Sequence, residues 1–172
     1  MRNIVIVMGV AGCGKSTVGA LLAARIGAGF VDGDSVHTPE AVAKMAAGHP
    51  LTDEDRWPWL DRIGAHLADE GRYPGGLVVA CSALRRRYRD RLRSAAGNGL
   101  AFVFLEGNIE LIRTRLAARQ GHYMPPSLLD SQFAALEPPL GERHVLAVSI
   151  DKTPSEIADI AARWLTDPEF GR

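Results

Sequence analysis

The sequence predicts an α/β fold: a five-stranded parallel sheet with helices on both faces. Two observations predict it. Short apolar runs and segments of helical periodicity alternate along the 172 residues, and the runs are apolar at consecutive positions, as in strands buried on both sides. A third narrows it, since no repeat or low-complexity stretch divides the chain and its length suits one domain, residues 1–172.

In order, "NIVIVM" (3–8) reads as a buried strand and "STVGALLAARIG" (16–27) as a helix stopping at Gly27. "GFVD" (29–32) is a short strand. "TPEAVAKMAAG" (38–48) has Thr38 as N-cap, Pro39 at the first helical position and Gly48 as stop. "WPWLDRIGAHLADEG" (57–71) sets Leu60, Ile63, Gly64 and Leu67 on one helical face. "LVVACS" (77–82) is a strand, "ALRRRYRDRLRSAAG" (83–97) a helix and "LAFVFLE" (100–106) a strand. "NIELIRTRLAARQG" (108–121) is a helix capped by Asn108. "GHYMPPSLL" (121–129) is irregular, precedes another short helix, and reads as a mobile lid spanning about 119–136. "VLAVSI" (145–150) is the last strand and "TPSEIADIAARWL" (153–165) the last helix.

Composition excludes several classes. Lys plus Arg and Asp plus Glu are 20 each, so no global charge draws the chain to nucleic acid or an anionic membrane. Two cysteines without CxxC spacing indicate neither a disulfide framework nor a zinc site. The N-terminal apolar run is broken at Gly9, too early for a signal peptide or membrane span, so a cytoplasmic location is expected.

The chemistry begins at "MGVAGCGKST" (8–17). Gly9 to Ser16 matches GxxxxGK[ST], with a buried strand before it and a helix after it. Gly9, Gly12 and Gly14 let the backbone wrap phosphate oxygens. The N–H groups from Cys13 to Thr17 and the helix N-terminus then face the anion. Lys15 reaches the outer phosphates of ATP, and the Ser16 hydroxyl serves Mg²⁺. Cys13 is a small filler, with a thiol expected to be more acidic than usual among those N–H groups.

No Asn-Lys-x-Asp element for guanine occurs, and the strand at 77–82 ends in Cys81-Ser82 rather than in an Asp. Carboxylates instead end the strand after the phosphate loop, as Asp32 and Asp34 in "FVDGDSVHTPE" (30–40). On an extended segment they point the same way. Asp32 can hold Mg²⁺ through water while Asp34 faces an acceptor hydroxyl; a turn capped by Asp-Gly-Asp is the bland reading.

"DGDSVH", "AKMAAGHPLTDEDRWPWL", "CSALRRRYRDRLR" and "RLAARQGHYMPPSLLDSQFAALEPP" resemble successive motifs of the P-loop gluconokinase family, thermoresistant type, over nearly the whole chain. Shikimate kinases are similar in arrangement but lack the Cys-Ser-Ala-Leu and Ser-Gln-Phe-x-x-Leu-Glu stretches. Thr52 stands where Asn is common, and Gln120 where Lys is common. The resemblance implies a three-layer α/β sandwich of the P-loop kinase type with a lid. It also implies ATP- and Mg²⁺-dependent phosphorylation of D-gluconate at the 6-hydroxyl, and frequent homodimers.

Asp34 is then the residue that orients, and in part deprotonates, the acceptor. His37 can hydrogen-bond substrate hydroxyls, or merely decorate the helix after it. Arg56 either forks the substrate carboxylate or pairs internally with Asp53 or Asp55. Of the six arginines in 85–93, Arg85, near Ser82, reaches substrate and the rest are solvated. Arg115 and Arg119 lie one turn apart on one helical face. In related folds such arginines meet adenine or the transferring phosphoryl group, which gives Arg119 a catalytic role and Arg115 a nucleotide-binding one. His122 in the lid is a further substrate contact, and the loop through Thr153 and Pro154 contacts adenine by its backbone. His144 and Trp164 are structural. Competing readings are a kinase for another sugar acid or a shikimate-like acid, a non-catalytic nucleotide-binding regulator, and a nucleic-acid binder using the arginine helix.

Overall fold

A computed structural model describes residues 3–119 and 125–167. Five strands form one parallel sheet: β1 (Asn3–Met8), β2 (Gly29–Asp32), β3 (Gly76–Ala80), β4 (Leu100–Glu106) and β5 (Val145–Ser149), in the order β2-β3-β1-β4-β5. The described helices are α1 (Lys15–Ile26), α2 (Pro39–Ala46), α3 (Asp53–Ala68), α4 (Arg86–Ala96), α5 (Ile109–Ala118), α6 (Pro126–Ala135) and α7 (Pro154–Leu165).

The alternation of β1 separates two cores. Val5 and Val7 face one side, where they pack with Val18 and Leu22 of α1, Ile112 of α5, Leu129 of α6 and Ile157 and Ala161 of α7. Ile4, Ile6 and Met8 face the other, with Trp59, Leu60, Ile63 and Leu67 of α3 and Tyr88 and Leu92 of α4. Both faces are covered, so β3, β1 after Asn3 and β4 before Glu106 are apolar at every position, as expected of a central parallel sheet. The result is the three-layer sandwich.

Several element ends differ from expectation. Helix α3 starts at Asp53, because Thr52 caps it. The Thr52 side chain accepts from Asp55 N–H, and the Asp55 carboxylate accepts from Thr52 N–H. Thr therefore does the capping work of an Asn there. Helix α4 starts at Arg86, because Ala83 adopts φ 44°, outside helical space. Helix α5 ends at Ala118, leaving Arg119 extended beyond it.

The order β2-β3-β1-β4-β5 places β1 centrally, with its successor strands on both sides. The loops leaving the carboxyl ends of the strands converge there, the usual place for a ligand in such a sheet.

Candidate functional site

The phosphate loop leaves β1 and enters α1 directly. Gly9, Gly12 and Gly14 have φ of 147°, 78° and 95°, values that only glycine adopts without strain. Gly14 is the N-cap of α1 and offers no side chain, and the first turn holds no acidic residue, so its N–H groups stay open to an anion. Lys15 Nζ donates to Val10 O at 3.0 Å, which folds the side chain back over the loop.

Cys13 corrects an expectation. Its sulfur turns inward; a Cβ on Gly9 would lie 2.7 Å from it. The residue is 2% exposed. Burial pushes its thiol up despite the opposing Lys15 charge, so it is less acidic than a free cysteine. Only its backbone remains on the cradle. Cys81 is buried as well, and burial pushes it up to about 12.

The Asp32–Asp34 segment is a second correction. It is not extended: Gly33–Val36 form a 3₁₀ turn. Gly33 is required because a Cβ there would strike the Ala80 carbonyl of β3. Asp32 Oδ2 accepts from Ser16 Oγ at 2.6 Å, and its Oδ1 accepts from Asp34 N–H at 3.0 Å. Asp32 is thus a turn cap and a partner of the loop serine at once. The side chain of Asp34 leaves the turn in another direction and is 83% exposed.

His37 is held rather than decorative. Its ring stacks on Trp59 with centroids 4.2 Å apart, and Trp59 Nε1 donates to Gly33 O at 2.7 Å. The side chain is 4% exposed, with Nε2 3.9 Å from Asp34 Oδ1. Its Nδ1 is buried without a partner among the described residues. Burial holds the imidazole below its ordinary range, Arg56 adds to that, and Asp34 opposes it. Neutral imidazole presents one donor and one acceptor.

Arg56 makes neither internal ion pair. Asp55 is taken by Lys44 at 2.6 Å and by Thr52, which hold its carboxyl down at about 2. Asp53 accepts from Tyr88 Oη at 2.5 Å and pairs with Arg87 at 2.5 Å. The Arg56 guanidinium instead lies 5.4 Å from the Tyr88 ring centroid, and its buried Nε has no partner among the described residues. It opens onto a cavity of about 440 Å³ whose walls include Arg85, Arg87, Tyr88, Ser131 and Gln132. Asp34, His37 and Ser82 are not among these walls. Even so, the charges of Lys15, Asp34 and Arg56 all bear on Cys81 at the end of β3, which gathers them at one end of the sheet. Ser82 joins this end through its carbonyl, which accepts from Gly9 N–H at 3.3 Å.

The arginine helix is not a solvated face throughout. Arg89 is fully buried. Its Nη1 donates to Ala83 O and Leu84 O at 2.9 and 3.0 Å, its Nη2 to Glu137 O at 3.0 Å, and its Nε and Nη2 to Glu142. The residue clamps the strained Ala83 turn that delivers Ser82 and Arg85. Position 89 lies three residues before Leu92 and beside Tyr88, and all three are buried, a signal that the charge run concealed. Gln132 was also missed: it sits in the apolar stripe of α6 between Leu129 and Phe133, and its Oε1 accepts from Ala11 N–H at 2.7 Å.

On the nucleotide side, Arg115 Nη2 donates to Ile150 O at 2.6 Å, beside the 151–154 loop. Arg119 has left the helix, so the two arginines do not share a helical face. Thr153 N–H and side chain are used in capping α7 with Glu156. His122 lies outside the described residues. Among the described residues no cluster of His, Cys, Asp and Glu could hold a metal alone. The paired oxygens of Ser16 and Asp32, 2.6 Å apart beside the loop, are of the kind that could share a hydrated Mg²⁺ with phosphate oxygens.

Comparison with known proteins agrees with this layout. The shikimate kinase family model matches residues 11–160. A probable gluconokinase of Mus musculus is 44% identical over 171 residues, covering 90% of this chain and 93% of that protein. The thermoresistant gluconokinase of Escherichia coli is 41% identical over 152 residues, covering 88% of this chain and 86% of that protein. A gluconokinase crystal structure from Sinorhizobium meliloti superposes with a TM-score of 0.88 at 47% identity, covering 96% and 93% of the two chains. The shikimate kinase model describes the wider architecture, and the nearly full-length identities narrow it. The chain belongs to the gluconokinase family of P-loop kinases.

Proposed function

We propose that this protein is an ATP:D-gluconate 6-phosphotransferase, and that one observation carries the substrate assignment. Arg56 is a guanidinium with a buried, unpartnered Nε, opening onto a cavity near the phosphate loop. A buried polar group of this kind is costly unless a ligand completes it, and a planar carboxylate matches its fork.

In this reading Lys15 and the N–H groups of residues 13–17 bind the outer phosphates and offset the charge that spreads over the transferring oxygens. Ser16 and Asp32 are the groups that would hold Mg²⁺, whose charge would offset that of the phosphate oxygens. Arg56 and Arg85 anchor the carboxylate end of the sugar acid. That leaves the far end of the chain, with its 6-hydroxyl, to turn toward the phosphate loop. His37, neutral near pH 7, exchanges hydrogen bonds with hydroxyls. Asp34, whose backbone belongs to the turn but whose carboxylate is exposed, orients the 6-hydroxyl and takes its proton as that oxygen bonds the γ-phosphorus and the bond from phosphorus to the ADP oxygen breaks. Arg115 and the 151–154 loop take the adenine side.

Arg119, just beyond the end of α5, would meet the transferring phosphoryl group, while α6 stays seated on the core through Leu129. The same family resemblance supports a homodimer and a cytoplasmic location; among the described residues no helix is long and apolar enough to cross a membrane. Light scattering on the purified protein tests the dimer.

The test of function is ADP release with gluconate, its epimers, other sugar acids and shikimate, with phosphorus NMR to locate the new ester. Gluconate should give the highest kcat/KM and an ester on carbon 6. Preference for shikimate, or ADP release independent of every acceptor, would overturn the assignment.

A further inference from the structure

Helix α6 buries Leu128 and Leu129; Leu129 joins the core on the α1 side of the sheet, Phe133 packs against that core, and Gln132 shares their stripe of the helix. A polar side chain in such a place is unfavourable unless its polar atoms find partners. The oxygen has one, Ala11 N–H of the phosphate loop at 2.7 Å, 121 residues away in sequence. A backbone N–H can only donate, so Oε1 must be the atom that meets it, and Nε2 must face away. No described group accepts from Nε2, and the residue is part of the cavity wall with Arg56, Arg85 and Tyr88. One planar amide therefore has its acceptor on the phosphate side, and its two donor hydrogens, without an acceptor among the described residues, belong to the residue that lines the cavity.

We propose that Gln132 is a substrate-positioning residue that ties the sugar acid to the phosphate loop. Its Nε2 donates to a hydroxyl oxygen of the bound acid while its Oε1 holds Ala11. The amide is rigid, so the distance between the loop and that hydroxyl is set by one group rather than by two independent contacts. Reaction rate is sensitive to displacements of this kind on the scale of 1 Å. This proposal rests on the gluconokinase reading.

The experiment pairs Gln132→Met, which keeps length and removes both polar atoms, with Gln132→Asn, which keeps the amide but shortens it. Each is assayed with gluconate and with its monodeoxy analogues, and nucleotide affinity is measured separately without acceptor. A neutral hydrogen bond of about 0.5–1.5 kcal/mol corresponds to roughly a two- to thirteenfold loss in kcat/KM. Both variants should show that loss on gluconate, with nucleotide affinity within about threefold of wild type. For one deoxy analogue, lacking the hydroxyl that Nε2 contacts, variant and wild type should become equal. Equal losses on every analogue, or a nucleotide affinity that falls as far as kcat/KM, would make Gln132 a loop fastener and overturn the proposal. Wild type that fails to turn over gluconate would sink the gluconokinase reading with it, whereas the analogue pattern alone sinks only the role of Gln132.

Discussion

Replacing Arg56 by Ala separates substrate recognition from packing. Among the described residues the guanidinium has no carboxylate partner and its buried Nε has no hydrogen-bond partner, and it lies 5.4 Å from the Tyr88 ring centroid. In the free enzyme the substitution removes a cation–π contact worth about 0.5–1 kcal/mol, but also removes an unsatisfied buried donor that cost about 1–3 kcal/mol. These offset, so the melting temperature should stay within a few degrees. In the complex, a charge-assisted hydrogen bond to the substrate carboxylate is worth about 1.5–3 kcal/mol, or roughly ten- to hundredfold in affinity. Steady-state kinetics should therefore show KM for gluconate raised by that factor, with KM for ATP changed less than about threefold. Arg56→Lys keeps the charge without the fork and should fall between. If KM for gluconate stayed at the wild-type value while stability dropped, Arg56 would be a packing residue. The assignment of the carboxylate end of the site would then be wrong.

Asp34→Asn keeps size but cannot take a proton, so kcat should fall by about 10²–10⁴-fold while nucleotide affinity holds within a few-fold; normal turnover of gluconate would reduce Asp34 to part of a turn. Arg89→Met leaves Glu142, 8% exposed, without its main partner. It should cost about 3–5 kcal/mol, a fall of about 6–20 °C by calorimetry, and an unchanged melting temperature would contradict the clamp. His37 is held below its ordinary pKa of 6.5 by burial, so the unfolded chain takes up the proton first. Its contribution to stability is complete above that pH and is lost as the pH falls through the lowered folded value. The melting temperature should decline on acidification below pH 6.5, less steeply in His37→Gln, and identical slopes would refute the buried neutral imidazole.

Sequence alone determined the parts of this protein that depend on local pattern. The strand–loop–helix around Gly9 to Ser16 was legible because phosphate binding needs glycines and a lysine at set spacing. The central strands were legible because burial on both faces leaves nearly every position apolar, and the partly buried edge strands β2 and β5 because short apolar runs alternate with helical segments. Asp32, Asp34, His37 and Arg56 were legible as candidates, since motif order places them near the phosphate loop. What tertiary structure decided is which polar groups were already taken. Asp53 and Asp55 were claimed by Tyr88, Arg87, Lys44 and Thr52, which left Arg56 open. The Gly33 approach to Ala80 forced a 3₁₀ turn and set Asp34 apart from Asp32. Cys13 turned into the core instead of toward the anion, and burial outweighed the nearby lysine. Arg89 looked like surface charge, and Gln132 was given no role from the sequence. Their partners, Glu142 and Ala11, are 53 and 121 residues away. A hydrogen bond at that separation exists only once the chain has closed, because periodicity fixes which face a residue occupies but not what that face meets.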